Sequence, residues 1–102
     1  MIHVIATIEL HAGTRSQFLV ELRKIMDQVR AEAGCQEYRP TVDLNSGLAL
    51  QGPLRSDVVT VVERWKSLEH LQAHLAAPHM VEYRTKVTEF VKSVTLQILE
   101  RV

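Results

Sequence analysis

The segment VVTVVERW at positions 58–65 decides the fold of this chain. It is rich in β-branched residues, which favour the extended backbone of a strand. Side chains along a strand point alternately to its two faces. The two sets are Val58, Thr60 and Val62 on one face and Val59, Val61 and Trp65 on the other. Because both faces are largely apolar, the segment predicts a sheet that is covered on both sides.

The residues before this strand predict a strand and then a helix. Residues 2–10 alternate between an apolar and a mixed face, which indicates a strand. Apolar residues then recur at helical spacing and predict a helix from about 15 to 32. Thr14 and Gln17 have the spacing of a capping box at its start, and Gly34 is a natural stop just beyond its end.

The segment between that helix and positions 58–65 predicts a second strand and turns. Residues 35–43 have the pattern of a strand, and Pro40 indicates that it lies at an edge or contains a bulge. Residues 45–47, Asn-Ser-Gly, are typical of a turn. Residues 48–51 predict a short strand that Gly52-Pro53 interrupts.

The last third of the chain predicts helix and then strand. Ser67 is a predicted N-cap. Three leucines at helical spacing follow it: Leu68, Leu71 and Leu75. Pro78 ends or kinks this helix. The helical pattern resumes through Met80, Tyr83, Val87, Phe90 and Val91, and Val94, Leu96 and Ile98 alternate as a final strand.

This order of elements, β-α-β-β-α-β, is the ferredoxin-like arrangement of the α+β class. It predicts a single domain over residues 1–102, with both helices on one face of a four-stranded antiparallel sheet. The other face also carries apolar side chains and needs a cover. In a chain this short, a second copy of the chain is the expected cover, so we predict a homodimer.

Composition excludes several classes of function. The 12 basic and 12 acidic residues cancel, so no charge attracts nucleic acid or an anionic membrane. The one cysteine, Cys35, has no partner for an internal disulfide, and no apolar run approaches the ~20 residues of a membrane span. No secretory signal pattern precedes the first strand. The expected location is therefore the cytoplasm.

Three residues are the first candidates for chemistry. Trp65, the only tryptophan, is either a core anchor or one wall of an aromatic pocket. Glu63 shares its face and needs a partner there, either for a structural hydrogen bond or for a direct role. His74 lies at the border of the leucine stripe, where an imidazole is either a hydrogen-bonded helix-edge residue or a base that accepts a phenolic proton.

Other candidates have weaker signals. Tyr38, Met80 and Tyr83 are predicted pocket walls that could equally be ordinary core. His70 and His74 have a metal-chelating spacing and His79 follows, but no further ligand is placed, so we predict no metal. The sequence contains no glycine-rich phosphate loop, so no nucleotide cofactor is expected.

Three stretches carry a resemblance to a known family. They are Gly34-Cys35 with Tyr38 and residues 40–43, then residues 62–67 (VERWKS), then residues 70–75 (HLQAHL) leading to Pro78-His79-Met80. Together they resemble the antibiotic biosynthesis monooxygenase superfamily, over nearly the whole chain. The stretch from Gly34 to Met80 is especially similar to the bacterial quinol monooxygenases of that superfamily.

The resemblance implies a dimer whose two sheets form a shared β-barrel, with a pocket between sheet and helices in each subunit. Members oxygenate polycyclic phenols and hydroquinones with O2 and without flavin, haem or metal. The residues matching His74 and Trp65 line that pocket in relatives. The resemblance therefore implies a cofactor-free oxidoreductase in which His74 is catalytic, and Trp65, Glu63, Tyr38, Met80 and Tyr83 bind substrate.

This chain differs from two other branches of the superfamily, and two alternative functions stay open. The haem-degrading branch has an asparagine on its first strand, which is absent from residues 4–8 here. A branch that isomerises a phosphorylated signalling molecule commonly has a different or smaller residue where this chain has Trp65. That isomerase activity and a non-catalytic dimeric ligand-binding module stay as alternatives, because a fold does not determine its chemistry.

Overall fold

The structure, a computed structural model describing residues 1–102, contains four strands and three helices. The strands are β1 (Ile2–Leu10), β2 (Cys35–Thr41), β3 (Val58–Trp65) and β4 (Val91–Glu100). The helices are α1 (Arg15–Arg30), α2 (Leu68–Ala76) and α3 (Pro78–Lys86). All neighbouring strands are antiparallel, in the order β2-β3-β1-β4. This is the predicted ferredoxin-like sheet, with one helix more than expected.

The predicted strand at 58–65 is one of the two central strands of the sheet. Ala6 on β1 pairs with Val61 on β3, and Ile8 pairs with Val59. These side chains lie on the helix-covered face and are buried in the core together with Trp65. The predicted two-faced pattern of β3 is therefore confirmed.

The predicted boundaries of α1 need two corrections. Thr14 makes no capping hydrogen bond, because its hydroxyl donates to the carbonyl of His11 at 2.8 Å; the capping box with Gln17 was wrong. The helix ends at Arg30, two residues earlier than predicted. Gly34 still marks the exit, with a φ of 80° that other residues rarely adopt.

The strand β2 is an edge strand, as Pro40 indicated, but it ends at Thr41 rather than at position 43. Its register shifts between Cys35 and Glu37, so the bulge lies away from the proline. Residues 48–51 do not form the predicted strand. There the Gln51 side chain donates to the carbonyl of Leu44 at 2.7 Å, so a side chain takes the place of a strand partner.

The second helical region is divided and shorter than predicted. Ser67 caps α2 by accepting from the backbone N–H of His70, as expected. Ala77 has an extended backbone, and Pro78 then starts α3. The helix ends at Lys86 and does not continue to Phe90, whose carbonyl accepts from the backbone N–H of His11 at 2.8 Å.

The buried face of α2 differs from the predicted leucine stripe. Only Leu71 and His74 are buried in this helix. Leu68 and Leu75 are exposed. The helix therefore buries His74, whereas the leucine pattern predicted that Leu75 would be buried.

The helices leave β4 uncovered. None of its ten residues is buried. Val94 and Ile98 pair with the buried Ile8 and Val4, so they point to the helix side of the sheet and are exposed there. No helix has the length and apolarity that crossing a bilayer requires.

Candidate functional site

A cavity of about 380 Å³ lies between the sheet and the helices, on the side toward β4. Eleven of its 15 lining residues are hydrophobic. They come from β1, β2, β3, β4, α2, α3 and the turn after α3: Ala6, Ile8, Tyr38, Val61, Leu75, Met80, Tyr83, Val87, Val91, Val94 and Leu96. Its size falls within the range of small-molecule sites, and its lining suits an apolar ring system.

His74 presents a base to this cavity from α2. Its side chain is 3% exposed, and its Nδ1 lies 3.0 Å from Oε2 of Glu32. Nε2 makes no hydrogen bond within the chain. It is not fully buried either, because Thr60 Oγ1 is the only fully buried side-chain nitrogen or oxygen that has no hydrogen-bond partner. His74 lines the cavity, and Nε2 is its ring nitrogen without a partner in the chain.

The surroundings of His74 act on its charge in opposite directions. Burial lowers the pKa of the imidazole below its usual value, and the Glu32 carboxylate opposes that effect. The positive charges of His79 and Arg84 lower this pKa further. Near neutral pH the ring is therefore mainly neutral, and its open nitrogen can accept a proton.

Glu63 is a second ionisable group at the cavity. It is 4% exposed, and its Oε1 accepts a hydrogen bond from the Trp65 indole at 2.9 Å. Burial raises the pKa of Glu63 to about 7, although the indole hydrogen bond works against the rise. The sequence predicted that this carboxylate would need a partner on the apolar face, and the partner is Trp65.

Two tyrosines add hydroxyl groups to the lining. Tyr38 and Tyr83 are buried, line the cavity and make no hydrogen bond through their hydroxyls. The ring of Tyr38 meets that of His74 edge-on, with 5.7 Å between centroids. Burial raises the pKa of both tyrosines, so both are hydrogen-bond donors at neutral pH.

Five of the six residues predicted for the site line the cavity, and Trp65 does not. The indole is fully buried behind the imidazole of His74, with 4.6 Å between ring centroids and a 34° tilt. It packs on the His74 ring, donates to Glu63 and does not line the cavity. Trp65 therefore supports two polar groups of the site instead of forming one of its walls.

Sequence reasoning missed Glu32 and Arg84. Glu32 lies in the turn between α1 and β2, 42 positions before His74, so neither helical nor strand spacing relates the two residues. Arg84 lines the cavity while its guanidinium donates to the carbonyl of Leu75 at 2.7 Å. A carboxylate next to a turn glycine was the only available signal for Glu32.

Of the two other histidines on these helices, only His79 shares a hydrogen-bond partner with His74. His70, on the same helix, packs over Gly34, and its Nδ1 lies 2.6 Å from the hydroxyl of Ser67. His79 faces Glu32 instead, with 2.9 Å between its Nε2 and Oε2. The metal-chelating spacing of His70 and His74 thus serves two separate hydrogen bonds.

A larger open groove of about 860 Å³ runs between α1 and β2. Four arginines lie along it, but Arg30 is held by the carbonyl of Tyr38 and Arg64 by the carboxylate of Glu37. It contains no histidine. The smaller cavity at His74 is therefore the better candidate for proton-transfer chemistry.

Comparisons with known proteins agree with this fold. The model of the antibiotic biosynthesis monooxygenase family matches residues 1–86. A curated Escherichia coli protein named probable quinol monooxygenase YgiN is 36% identical over 102 residues, which is 98% of this chain and 97% of the relative.

Solved structures extend the comparison. A Pseudomonas aeruginosa protein superimposes with a TM-score of 0.81 at 25% identity, covering 99% of this chain and 93% of its own. A Nitrosomonas europaea protein described as a putative antibiotic biosynthesis monooxygenase superimposes with a TM-score of 0.83. The match covers 100% of this chain and 99% of the other, and at 14% identity it supports the fold alone. On the family match and the 36% identity, this chain belongs to the antibiotic biosynthesis monooxygenase family.

Proposed function

We propose that this protein is a cofactor-independent monooxygenase that oxidises a quinol or polycyclic phenol with O2. One observation carries the proposal: a buried imidazole that has one nitrogen without a hydrogen bond lines a mainly apolar cavity of about 380 Å³. The name of the Escherichia coli relative, which refers to a quinol, supports the same substrate class.

The reaction requires a substrate anion. A closed-shell phenol reacts slowly with O2 because the reaction is spin-forbidden, whereas a phenolate readily donates one electron. His74 takes the phenolic proton, and the phenolate and O2 form a radical pair that combines as a carbon–oxygen bond. The imidazolium returns its proton to the peroxide anion that forms. Loss of the proton on the oxygenated ring carbon, with cleavage of the O–O bond, then leaves a carbonyl and water, so one oxygen atom of O2 enters the product and the other leaves as water.

The remaining lining residues position the substrate and keep the site dry. Met80 and the valines contact the rings, which removes water from around the anion. The hydroxyls of Tyr38 and Tyr83 donate hydrogen bonds to substrate oxygens. Glu63 holds the Trp65 indole, which in turn packs against the His74 ring.

The test is oxygen uptake by metal-free protein with a series of naphthohydroquinones, after subtraction of the protein-free rate. His74→Ala removes the base and should lower the rate by about 100- to 10,000-fold, the usual contribution of a positioned base. The control is His11→Ala, because His11 is exposed and lies outside the cavity. Unchanged uptake in His74→Ala would refute the assignment of the base.

The same screen separates the alternatives. Tight binding of a naphthohydroquinone without any oxygen consumption would replace this proposal with a ligand-binding module. Conversion of a phosphorylated substrate without oxygen would favour the isomerase.

We also propose that the protein acts in the cytoplasm as a homodimer. The face of the sheet away from the helices supports the dimer. Ile5 and Val62 pair on this face and are only partly buried, and Leu99 on the same face is 43% exposed. Apolar side chains left without a cover are typical of interaction surfaces. A reducing location agrees with the single free thiol of Cys35.

A further inference from the structure

The carboxylate of Glu32 lies between two imidazoles at the back of the cavity. His74 Nδ1 is 3.0 Å and His79 Nε2 is 2.9 Å from the same oxygen, Oε2. Glu32 itself is 14% exposed, so water competes little for its oxygens. Three elements meet here: the turn after α1 supplies Glu32, α2 supplies His74 and α3 supplies His79.

This contact determines which nitrogen of His74 carries hydrogen. An ionised carboxylate only accepts hydrogen bonds, so Nδ1 of His74 has to be the donor. In the neutral imidazole the other nitrogen then holds a free lone pair. That nitrogen is Nε2, which makes no hydrogen bond within the chain.

We infer that Glu32 is a positioning residue that holds the His74 ring in the Nδ1–H form with Nε2 directed at the substrate, and that His79 adjusts the strength of this contact. The inference rests on the proposed function only for its catalytic consequence. The hydrogen bonds and the tautomer are properties of the protein without substrate. A carboxylate behind a histidine orients the ring and strengthens it as a base.

His79 shares the carboxylate and is the more exposed of the two histidines, at 20% against 3%. When His79 is protonated, its charge offsets part of the charge of Glu32, so His74 becomes a weaker base. The other charged or titratable groups around His74 are Arg84 on α3, Glu63 on β3 and Tyr38 on β2. None of these groups makes a hydrogen bond with the imidazole. Glu32 is therefore the group through which His79 acts on His74.

The two partners shift the pKa of His74 in opposite directions. The hydrogen bond and the charge of Glu32 raise it, whereas the charge of His79 lowers it. The neutral ring is the active base, so activity rises as the pH passes this pKa. Glu32→Gln should therefore move the acidic limb of the pH profile to lower pH, and His79→Asn should move it to higher pH. An acidic limb that stays in place in His79→Asn would refute the role of His79.

The experiment combines nuclear magnetic resonance with kinetics on the full chain. Nitrogen-15 spectra of the histidine rings, with His74 assigned by comparison with His74→Ala, should show Nδ1–H as the main neutral form. In Glu32→Ala the Nε2–H form should appear, and in His79→Asn the Nδ1–H form should persist. In Glu32→Gln, kcat/KM for oxygen uptake should fall about 10- to 100-fold, part of what a positioned base contributes.

The outcomes separate this inference from the proposed function. An unchanged His74 tautomer in Glu32→Ala would overturn the positioning role, whatever the activity. A changed tautomer with no oxygen uptake even in the unsubstituted protein would sustain the positioning role and refute the oxygenase. If Glu32→Ala does not fold, the isosteric Glu32→Gln decides through the direction of its pH shift, and a limb that does not move is the contrary result.

Discussion

Glu63 is a carboxyl group whose charge changes near neutral pH. Its carboxylate is buried on the helix side of β3 and has one hydrogen-bond donor, the indole of Trp65. One hydrogen bond does not compensate for the water that burial removes, so the pKa rises to about 7. At the residue scale, the site therefore contains a carboxyl group that is mostly neutral in slightly acidic solution and mostly charged in slightly basic solution.

This shift predicts how stability depends on pH. The folded protein holds the Glu63 proton up to about pH 7, whereas the unfolded chain loses it near the ordinary value of about 4.3. The stability that this difference contributes is fully present below pH 4 and is lost as the pH rises to 7. The free energy of unfolding of the unsubstituted protein should therefore fall between pH 5 and 8. In Glu63→Gln, whose glutamine does not ionise, this fall should be smaller by up to about 3 kcal/mol.

Urea unfolding at several pH values measures this effect. The control is Glu89→Gln, because Glu89 is exposed and its replacement should leave the pH dependence unchanged. Parallel curves for Glu63→Gln and the unsubstituted protein would mean that Glu63 is not a buried titrating group.

At the element scale, the turn between α1 and β2 is locked against α2. Gly34 has a φ of 80°, and a Cβ there would overlap the imidazole of His70. The carbonyl of Gly34 also accepts from the backbone N–H of Lys66, just before α2. This close packing holds the turn that carries Glu32 next to the helix that carries His74.

Gly34→Ala should therefore be costlier than Gly13→Ala. Both glycines have positive φ, but nothing lies within 4 Å of a Cβ at Gly13. We expect Gly13→Ala to lower the free energy of unfolding by about 1 kcal/mol through backbone strain alone. Gly34→Ala should lower it by roughly a further 1–3 kcal/mol because of the overlap. Denaturant unfolding of both variants measures the difference.

The double variant is the control for this packing. In a His70→Ala background the ring atoms are absent and only the Cβ at position 70 stays close to the added side chain, so Gly34→Ala should cost less there than it does beside His70. An equal cost of Gly34→Ala with and without His70 would show that this imidazole is not what excludes a side chain.

At the scale of the whole molecule, one layer of helices covers one face of a flat sheet. The chain measures 37 × 37 × 20 Å and has a radius of gyration of 14.1 Å, against about 13 Å expected for a compact domain of this length. Only 19 of its 102 residues are buried, and none of them belongs to β4. A molecule of this shape gains stability by burying a second face.

The dimer prediction concerns the face of the sheet away from the helices. Ile5 lies at its centre, paired with Val62 and Gln97. We expect a solution mass of about twice 11.6 kDa, and Ile5→Lys should shift it toward the monomer, because a lysine there would be buried without a partner. Sedimentation equilibrium measures the mass, and circular dichroism checks that the variant is folded.

Val20→Lys is the matched control, because Val20 is an apolar residue that is 50% exposed on α1. It should leave the mass unchanged. A native mass near 11.6 kDa for the unsubstituted chain would be incompatible with the dimer.

The sequence by itself determined the β-sheet and most helix positions, because strand alternation and helical spacing are local properties. It also determined that Glu63 shares a face with Trp65 and that Tyr38, His74, Met80 and Tyr83 are pocket candidates. Only the tertiary structure decided that Trp65 lies behind His74, that residues 48–51 form no strand, and that Glu32 contacts two histidines. Those outcomes depend on residues 7 to 47 positions apart meeting in space, and no periodicity along the chain encodes such meetings.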